Sequence, residues 1–274
     1  MIHETYQIAL EGSRPDTKLV TYLIETSPEI EAPPKPLVLI CPGGGYSMTS
    51  DREAEAVALK FNAAGFHAAV LRYSCAPAVY PTALCEVAYS VALIRKNAVK
   101  WNVNPDKIVV QGASAGGHLA ASYAAFYKET FISELTGLSA AELRPAGLML
   151  SYPVITSGTY AHKGSFECLL GKPYEELQEE PLLQKLSLEN AVHEDMPKTF
   201  LWHTFSDDCV PVENSLLFVN ALKSKNIPTE FHMFPVGVHG LGLANHLTVT
   251  PEQYGLQPEC EIWIDLAITW LSHI

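Results

Sequence analysis

Short apolar segments alternate with helical segments along most of this chain, and no other feature restricts its possible folds as strongly. Strands that are apolar on both faces and alternate with helices are typical of a parallel sheet covered by helices on both sides. Two extended segments, Thr5–Leu10 and Leu19–Thr26, precede this region. The strands predicted after them are Leu37–Cys41, Phe66–Leu71, Lys107–Gln111, Ala146–Ser151, Thr199–His203 and Thr229–Phe234.

The segments between these strands have helical character. The predicted helices are Asp51–Ala64, Thr82–Trp101, Ala115–Tyr127, Val212–Lys225 and Glu261–Ser272. In the first of them, the apolar residues fall on one face, as the period of an amphipathic helix requires, and the polar face carries Glu53 and Lys60. Gly65 follows directly and is a suitable residue to end this helix.

A segment of about 45 residues, Pro153–Pro197, interrupts this alternation between two predicted strands. It contains three glycines and a candidate short acidic helix at Tyr174–Lys185. Loops of this length usually have a function, so we expect residues 153–197 to form a lid or binding loop; the alternative is an insertion without function. The candidate site residues described below span most of the chain, so we expect one domain, 1–274, that includes this insertion.

Composition excludes several classes of partner. The chain has 274 residues, of which 18 are Lys or Arg and 30 are Asp or Glu, giving a formal net charge of −12. This balance argues against nucleic-acid binding and against an anionic membrane surface, both of which require clusters of cations. No signal peptide and no apolar run of roughly 18–20 residues is present, so we expect a cytoplasmic protein. The six cysteines are irregularly spaced, and we predict no metal site.

The segment Gly112-Ala-Ser114-Ala-Gly116 lies between a predicted strand and a predicted helix. A serine on such a sharp turn needs small neighbours, because its backbone is strained and larger side chains would clash. The alternative is a glycine-rich turn without chemistry. The position in the chain favours a nucleophilic Ser114, with the Ala115 N–H directed at an oxyanion near the start of the helix.

A second glycine-rich segment, Cys41-Pro-Gly-Gly-Gly-Tyr46, directly follows an earlier strand. Consecutive glycines allow backbone N–H groups to approach a substrate oxygen closely, so this segment is a candidate oxyanion loop. The alternative is a phosphate-binding loop. We disfavour it because no Gly-Lys-Ser/Thr follows and the G-x-G-x-x-G spacing is absent.

A serine hydroxyl needs a histidine to accept its proton and a carboxylate to orient that histidine. Asp207 and Asp208 follow a predicted strand, downstream of the serine. The histidines after them are His232, His239, His246 and His273. We favour His239, because it lies in a loop just after a strand, whereas His232 lies within a strand and His273 near the end of a helix; His246 remains a local alternative.

Together these motifs resemble α/β-hydrolase-fold carboxylesterases, in the branch that includes hormone-sensitive-lipase-like enzymes and acetylesterases acting on xylan-type sugars. The resemblance extends from about Lys35 to Ile274 and implies an α/β-hydrolase fold, with a mostly parallel central sheet, helices on both faces and a small lid insertion. Its markers are Pro42-Gly-Gly-Gly-Tyr46, Asn104-Pro-Asp-Lys-Ile108, Gly112-Ala-Ser-Ala-Gly-Gly117, His203–Pro211 and His239-Gly240.

The resemblance also implies roles for individual residues. It makes Ser114 the nucleophile, His239 the general base and Asp207 the orienting acid, since the acid of this family usually lies four residues before the proline of a Val-Pro pair; Asp208 remains an alternative. It assigns the oxyanion donors to Gly44, Gly45 and Ala115. Residues that resemble family positions near the site, for substrate contact or for anchoring the loop by hydrogen bonds, are Tyr46, Arg52, Glu53 and His118. Relatives often have histidine where this chain has Pro42, which leaves the choice among the glycines open.

These residues predict a serine hydrolase that acts through an acyl-Ser114 intermediate and requires neither a metal nor an organic cofactor. The resemblance implies a small-molecule substrate, a short-chain carboxylic ester such as an acetyl ester of a sugar or small alcohol. One alternative is a formamidase or small-amide hydrolase, since the same groups serve amides. The other is a catalytically inactive hydrolase fold that acts as a binding module.

Overall fold

An eight-stranded sheet forms the centre of the protein, whose computed structural model describes residues 1–274. The strands are β1 (Thr5–Gln7), β2 (Lys18–Tyr22), β3 (Lys35–Cys41), β4 (His67–Arg72), β5 (Val103–Ala113), β6 (Gly147–Ser151), β7 (Lys198–Thr204) and β8 (Thr229–Phe234). Their order across the sheet is β1-β2-β4-β3-β5-β6-β7-β8. Only the pairs β1–β2 and β2–β4 are antiparallel, which confirms the predicted mostly parallel sheet.

Helices cover both faces of this sheet. They are α1 (Glu55–Ala63), α2 (Thr82–Lys96), α3 (Ala98–Trp101), α4 (Ser114–Phe126), α5 (Thr130–Thr136), α6 (Ala140–Leu143), α7 (Lys163–Leu170), α8 (Tyr174–Leu177), α9 (Pro181–Lys185), α10 (Glu213–Ser224) and α11 (Trp263–Leu271). Because successive side chains of a strand point to opposite faces, Leu39 and Val110 pack with α2, α4 and α10, whereas Ile40 and Val109 pack with α1 and α11. None of the helices has both the length and the apolar character needed to cross a membrane.

The helix predicted over Asp51–Ala64 is divided at Ala54. A 3-10 turn covers Asp51–Glu53, and α1 begins only at Glu55, because Ala54 has φ −113° and ψ −103°, outside the helical region. The break turns Glu53 inward, so that its side chain is only 4% exposed. The prediction that Glu53 lies on a polar helix face is therefore wrong. Asn97 divides the predicted helix Thr82–Trp101 in a similar way, into α2 and α3.

The carboxyl ends of the parallel strands meet at one edge of the sheet. Cys41 at the end of β3 is paired with Gly112 of β5, and Thr204 at the end of β7 is paired with Phe234 of β8. The segments that follow these four strands therefore emerge side by side. In open parallel sheets this edge is where ligands bind.

Residues 153–197 form three short helices, α7 to α9, and a 3-10 turn at Leu188–Asn190. Two of these helices, α8 and α9, replace the single acidic helix predicted at Tyr174–Lys185. Buried side chains of the segment, among them Phe166 and Leu186, belong to the same apolar core as α2 and α4. The segment therefore packs onto the sheet-covering layer and has no separate core of its own.

Candidate active site

Ser114 lies on a sharp turn between β5 and α4. Its φ of +53° is rare for a residue with a side chain and places Ser114 in the left-handed region. The turn needs glycine on both sides. A Cβ atom on Gly112 would lie 2.0 Å from the carbonyl oxygen of Gly116, and one on Gly116 would lie 2.1 Å from the carbonyl oxygen of Cys41. The two glycines of the motif thus permit the close backbone contacts that present Ser114 at the sheet edge.

A chain of hydrogen bonds connects Ser114, His239 and Asp207. The Ser114 hydroxyl lies 2.7 Å from Nε2 of His239, and Nδ1 of His239 lies 2.7 Å from Oδ2 of Asp207. Since the carboxylate can only accept, Nδ1–H donates to Asp207, and Nε2 is left free to accept the serine proton. This arrangement has the geometry by which a serine is activated for nucleophilic attack.

The environment of Asp207 holds its carboxylate in place and in the charged form. The side chain is fully buried, Oδ1 accepts hydrogen bonds from the N–H groups of Cys209 and Val210, and Oδ2 lies 3.2 Å from Nε2 of His203. Burial acts to raise the pKa of Asp207, but the hydrogen bonds from the two imidazoles and from the backbone outweigh it and hold the pKa below its usual value.

Asp208 and the remaining histidine candidates lie away from this chain of hydrogen bonds. Asp208 is exposed and accepts no hydrogen bond from any imidazole. His232 lies on β8, where its Nε2 is 2.8 Å from Glu230. His246 and His273 are exposed. The structure therefore places Asp207, and not its neighbour, against the histidine that contacts the serine.

The glycine-rich loop after β3 lies beside the serine. Gly43 donates its N–H to the carboxylate of Glu53 at 2.7 Å, so this group is already occupied. Gly44 and Gly45 adopt φ values of +127° and +64°, and their N–H groups have no acceptor within the protein. Ala115 lies in the first turn of α4, where N–H groups have no acceptor within the helix. Three unpaired N–H donors therefore flank Ser114.

Of the other predicted site residues, Tyr46 and His118 are buried behind this loop. The Tyr46 hydroxyl donates to Nδ1 of His118 at 2.9 Å, and Nε2–H of His118 donates to the carbonyl oxygen of Leu186, also at 2.9 Å. Burial lowers the pKa of His118 to about 4, so the imidazole is neutral and able to accept from Tyr46. These two side chains connect the loop to residues 153–197 and do not face the cavity over Ser114.

Arg52 lines that cavity, but its guanidinium is largely used within the protein. Nε donates to the carbonyl oxygen of Thr248 at 2.5 Å, and the guanidinium carbon lies 5.5 Å from the centre of the Tyr254 ring. Tyr254 in turn donates its hydroxyl to the carbonyl oxygen of His239 at 2.7 Å. Arg52 thereby supports the segment that follows His239.

The cavity has a volume of about 400 Å³, and ten of the thirteen residues that line it are polar, charged or glycine. Its lining includes residues that were not predicted, among them His162 from the insertion, Cys209 beside the acid, and Tyr254. Nδ1 of His162 lies 2.8 Å from the Ser165 hydroxyl, and burial lowers its pKa. Cys209 lies within the marker segment His203–Pro211, whereas His162 and Tyr254 stand in no motif. The unusual length of the insertion is the one sequence signal for His162.

The strand order, with a serine at the turn after β5, an acid after β7 and a histidine after β8, defines an α/β-hydrolase fold. The chain belongs to the BD-FAE family, whose sequence profile matches residues 24–222. That range includes Ser114 and Asp207 and ends before His239.

Similar proteins include two curated sequences. Over 215 residues the chain is 41% identical to endo-1,4-beta-xylanase B of Butyrivibrio fibrisolvens, a match that covers 76% of this chain and 33% of that protein. Over 205 residues it is 30% identical to an acetylxylan esterase of Xylanibacter ruminicola, covering 73% of this chain and 40% of that protein. The chain thus spans about a third to two fifths of the length of these relatives.

A solved structure matches over nearly the whole chain. It is an acetyl ester-xyloside bifunctional hydrolase from Caldicellulosiruptor lactoaceticus, with a TM-score of 0.78 and 36% sequence identity. The match covers 94% of this chain and 88% of that one.

Proposed function

We propose that this protein is a carboxylic ester hydrolase that cleaves short-chain esters, in particular acetyl esters of sugars, through an acyl-Ser114 intermediate. The observation that carries the proposal is the hydrogen-bonded series Ser114–His239–Asp207, with 2.7 Å at each step. A serine hydroxyl has no useful nucleophilicity without such a base, and a buried acid fixes the tautomer of that base.

In the proposed reaction, Ser114 Oγ attacks the acyl carbon while its proton passes to Nε2 of His239. The resulting tetrahedral oxyanion accepts hydrogen bonds from Ala115, Gly44 and Gly45, whose N–H groups are free of other acceptors. The histidine then returns the proton to the alcohol, which leaves. Water, deprotonated by the same imidazole, attacks the acyl-enzyme and releases the acid and Ser114. These residues complete both half-reactions themselves.

Two features support a sugar ester as the substrate class. Most residues that line the cavity are polar or glycine, and their hydroxyl and imidazole groups are able to meet sugar hydroxyls. The relatives named above include an acetylxylan esterase and an acetyl ester-xyloside hydrolase. We assign residues 153–197 as a wall of this cavity within a single domain, since the segment supplies His162 and shares the main apolar core.

Ser114→Ala tests the proposal directly. We expect it to remove hydrolysis of p-nitrophenyl acetate and of acetylated xylo-oligosaccharides, and labelling by a fluorophosphonate probe, without changing the circular dichroism spectrum. Ser47→Ala is the matched control, because Ser47 also lines the cavity but hydrogen-bonds only to the carbonyl oxygen of Gly44. Turnover by Ser114→Ala within about tenfold of the wild-type rate would contradict the mechanism, since a covalent nucleophile contributes far more than that.

The substrate class is tested separately with the wild-type protein. We would measure initial rates on acetyl and butyryl p-nitrophenyl esters, on acetylated xylo-oligosaccharides and on N-formylkynurenine. These substrates differ in acyl length, in leaving group and in whether the bond cleaved is an ester or an amide. We expect kcat/KM to be highest for the acetylated oligosaccharides. Faster turnover of the formamide than of every ester would replace the esterase assignment with that of an amide hydrolase.

A further inference from the structure

Glu53 carries a buried carboxylate that the proposed reaction leaves without a role. The residue is 4% exposed and forms no ion pair with any Lys, Arg or His. Burying a carboxylate is costly unless hydrogen bonds fill its lone pairs. The groups that donate to Glu53 therefore indicate what the carboxylate is for.

One donor belongs to the candidate oxyanion loop. Gly43 donates its N–H to Oε2 of Glu53 at 2.7 Å, immediately before the two glycines whose N–H groups are free. A Cβ atom on Gly43 would lie 2.6 Å from this Oε2 and 2.8 Å from Cβ of Ser114. Gly43 is thus held between the carboxylate and the serine, and Glu53 fixes the loop at a residue that packs against Ser114.

The other donor leads to the histidine loop. The Tyr152 hydroxyl donates to Oε1 of Glu53 at 2.7 Å and accepts the N–H of Gly242 at 2.9 Å. Gly242 lies three residues after His239, and the Tyr152 ring meets the His239 imidazole edge-on, with 5.2 Å between ring centres. The two oxygens of one carboxylate therefore connect the loop beside the serine with the loop that carries the histidine.

We propose that Glu53 is a positioning residue that aligns the oxyanion donors and His239 relative to Ser114. Hydrogen bonds to an ionised carboxylate are roughly twice as strong as those between neutral groups. Donors aligned before the reaction stabilise the oxyanion without reorganisation at the moment of bond formation. This role rests on the proposed esterase function. It predicts a change in kcat with little change in KM, because the aligned groups act on the transition state.

The test compares Glu53→Ala, Glu53→Gln and Tyr152→Phe. For Glu53→Ala we expect kcat on p-nitrophenyl acetate to fall about 100-fold with KM within about threefold, as for loss of one oxyanion donor. Affinity for a trifluoromethyl ketone, which mimics the tetrahedral intermediate, should fall by the same factor as kcat/KM. Glu53→Gln should retain activity within about tenfold, because an amide can accept from Gly43 and donate to Tyr152. This variant and Tyr152→Phe keep the test valid if Glu53→Ala does not fold.

The double variant Glu53→Ala/Tyr152→Phe separates positioning from general stability. If both residues act through one connection, its loss of kcat should be no larger than that of Glu53→Ala alone. Glu55→Ala is the matched control, because Glu55 also accepts a hydrogen bond from a tyrosine, Tyr22 at 3.1 Å, but outside the site. It should keep kcat within about twofold, since surface contacts of this kind contribute little.

Two results would overturn the positioning role. One is a folded Glu53→Ala variant with a lowered melting temperature but unchanged kcat. The other is a loss of kcat in the double variant that equals the sum of the two single losses in free energy. In that case wild-type turnover and fluorophosphonate labelling of Ser114 would still support the proposed function. A wild-type protein that shows neither would refute the proposed function, and the role of Glu53 with it.

Discussion

Acidification from pH 6.5 to pH 4 should remove about 3 kcal/mol of the free energy of unfolding through His118 alone. Burial lowers the pKa of this histidine from 6.5 to about 4, whereas the unfolded chain keeps the ordinary value. Between these two pH values the unfolded state binds the proton and the native state does not. Stability therefore falls as the pH falls through this window, at up to about 1.4 kcal/mol per pH unit. Above about pH 7.5 neither state binds the proton, and the group no longer affects the slope.

The structure gives the reason for this loss. Nδ1 of His118 accepts from the Tyr46 hydroxyl and Nε2–H donates to Leu186, so a second proton on the ring removes the only acceptor for Tyr46. Urea unfolding curves of the wild-type protein and His118→Gln at pH 7, 5.5 and 4.5 measure the effect. The variant should be less stable at pH 7 but should lose about 2–3 kcal/mol less on acidification. His273→Gln, at an exposed histidine, should follow the wild type. An identical decline in wild type and His118→Gln would refute the reasoning.

Two further substitutions probe the site and its turn. Asp207→Asn should lower kcat about 10⁴-fold, because an amide no longer holds the histidine in the required tautomer. Asp208→Asn should keep a kcat near that of the wild type. Equal effects of the two substitutions would contradict the geometry. Gly116→Ala should cost about 3 kcal/mol or more, measured by thermal unfolding, since its Cβ would lie 2.1 Å from the carbonyl oxygen of Cys41. Gly164→Ala in α7 is the control, because a Cβ atom on Gly164 would lie 3.9 Å from its nearest neighbour, Cε1 of His162. It should be neutral or slightly stabilising. A comparable loss of stability there would show that crowding is not the cause.

Local pattern was sufficient to predict most of the sheet. The predicted strand Thr229–Phe234 coincides with β8, and the other strand predictions after residue 36 agree with the structure except at their ends. A short, continuous run of apolar residues is typical of a strand buried on both faces, and few other environments in a folded protein accept it. The assignment of these segments as strands was therefore straightforward. The turn at Ser114 was equally predictable from the sequence, since only glycine permits backbone contacts as close as those at Gly112 and Gly116.

What the sequence by itself determined was therefore the fold, the position of Ser114 and a short set of candidate partners. The tertiary structure places Asp207, and not Asp208, against His239, because adjacent residues differ only in which one the loop turns inward. It also brought His162 and Tyr254 to the cavity from segments without motifs. Periodicity placed Glu53 on a polar face, yet the irregular backbone at Ala54 buries it against the loop beside the serine. Such contacts join residues far apart in the chain, and their partners are set by packing that no local pattern records.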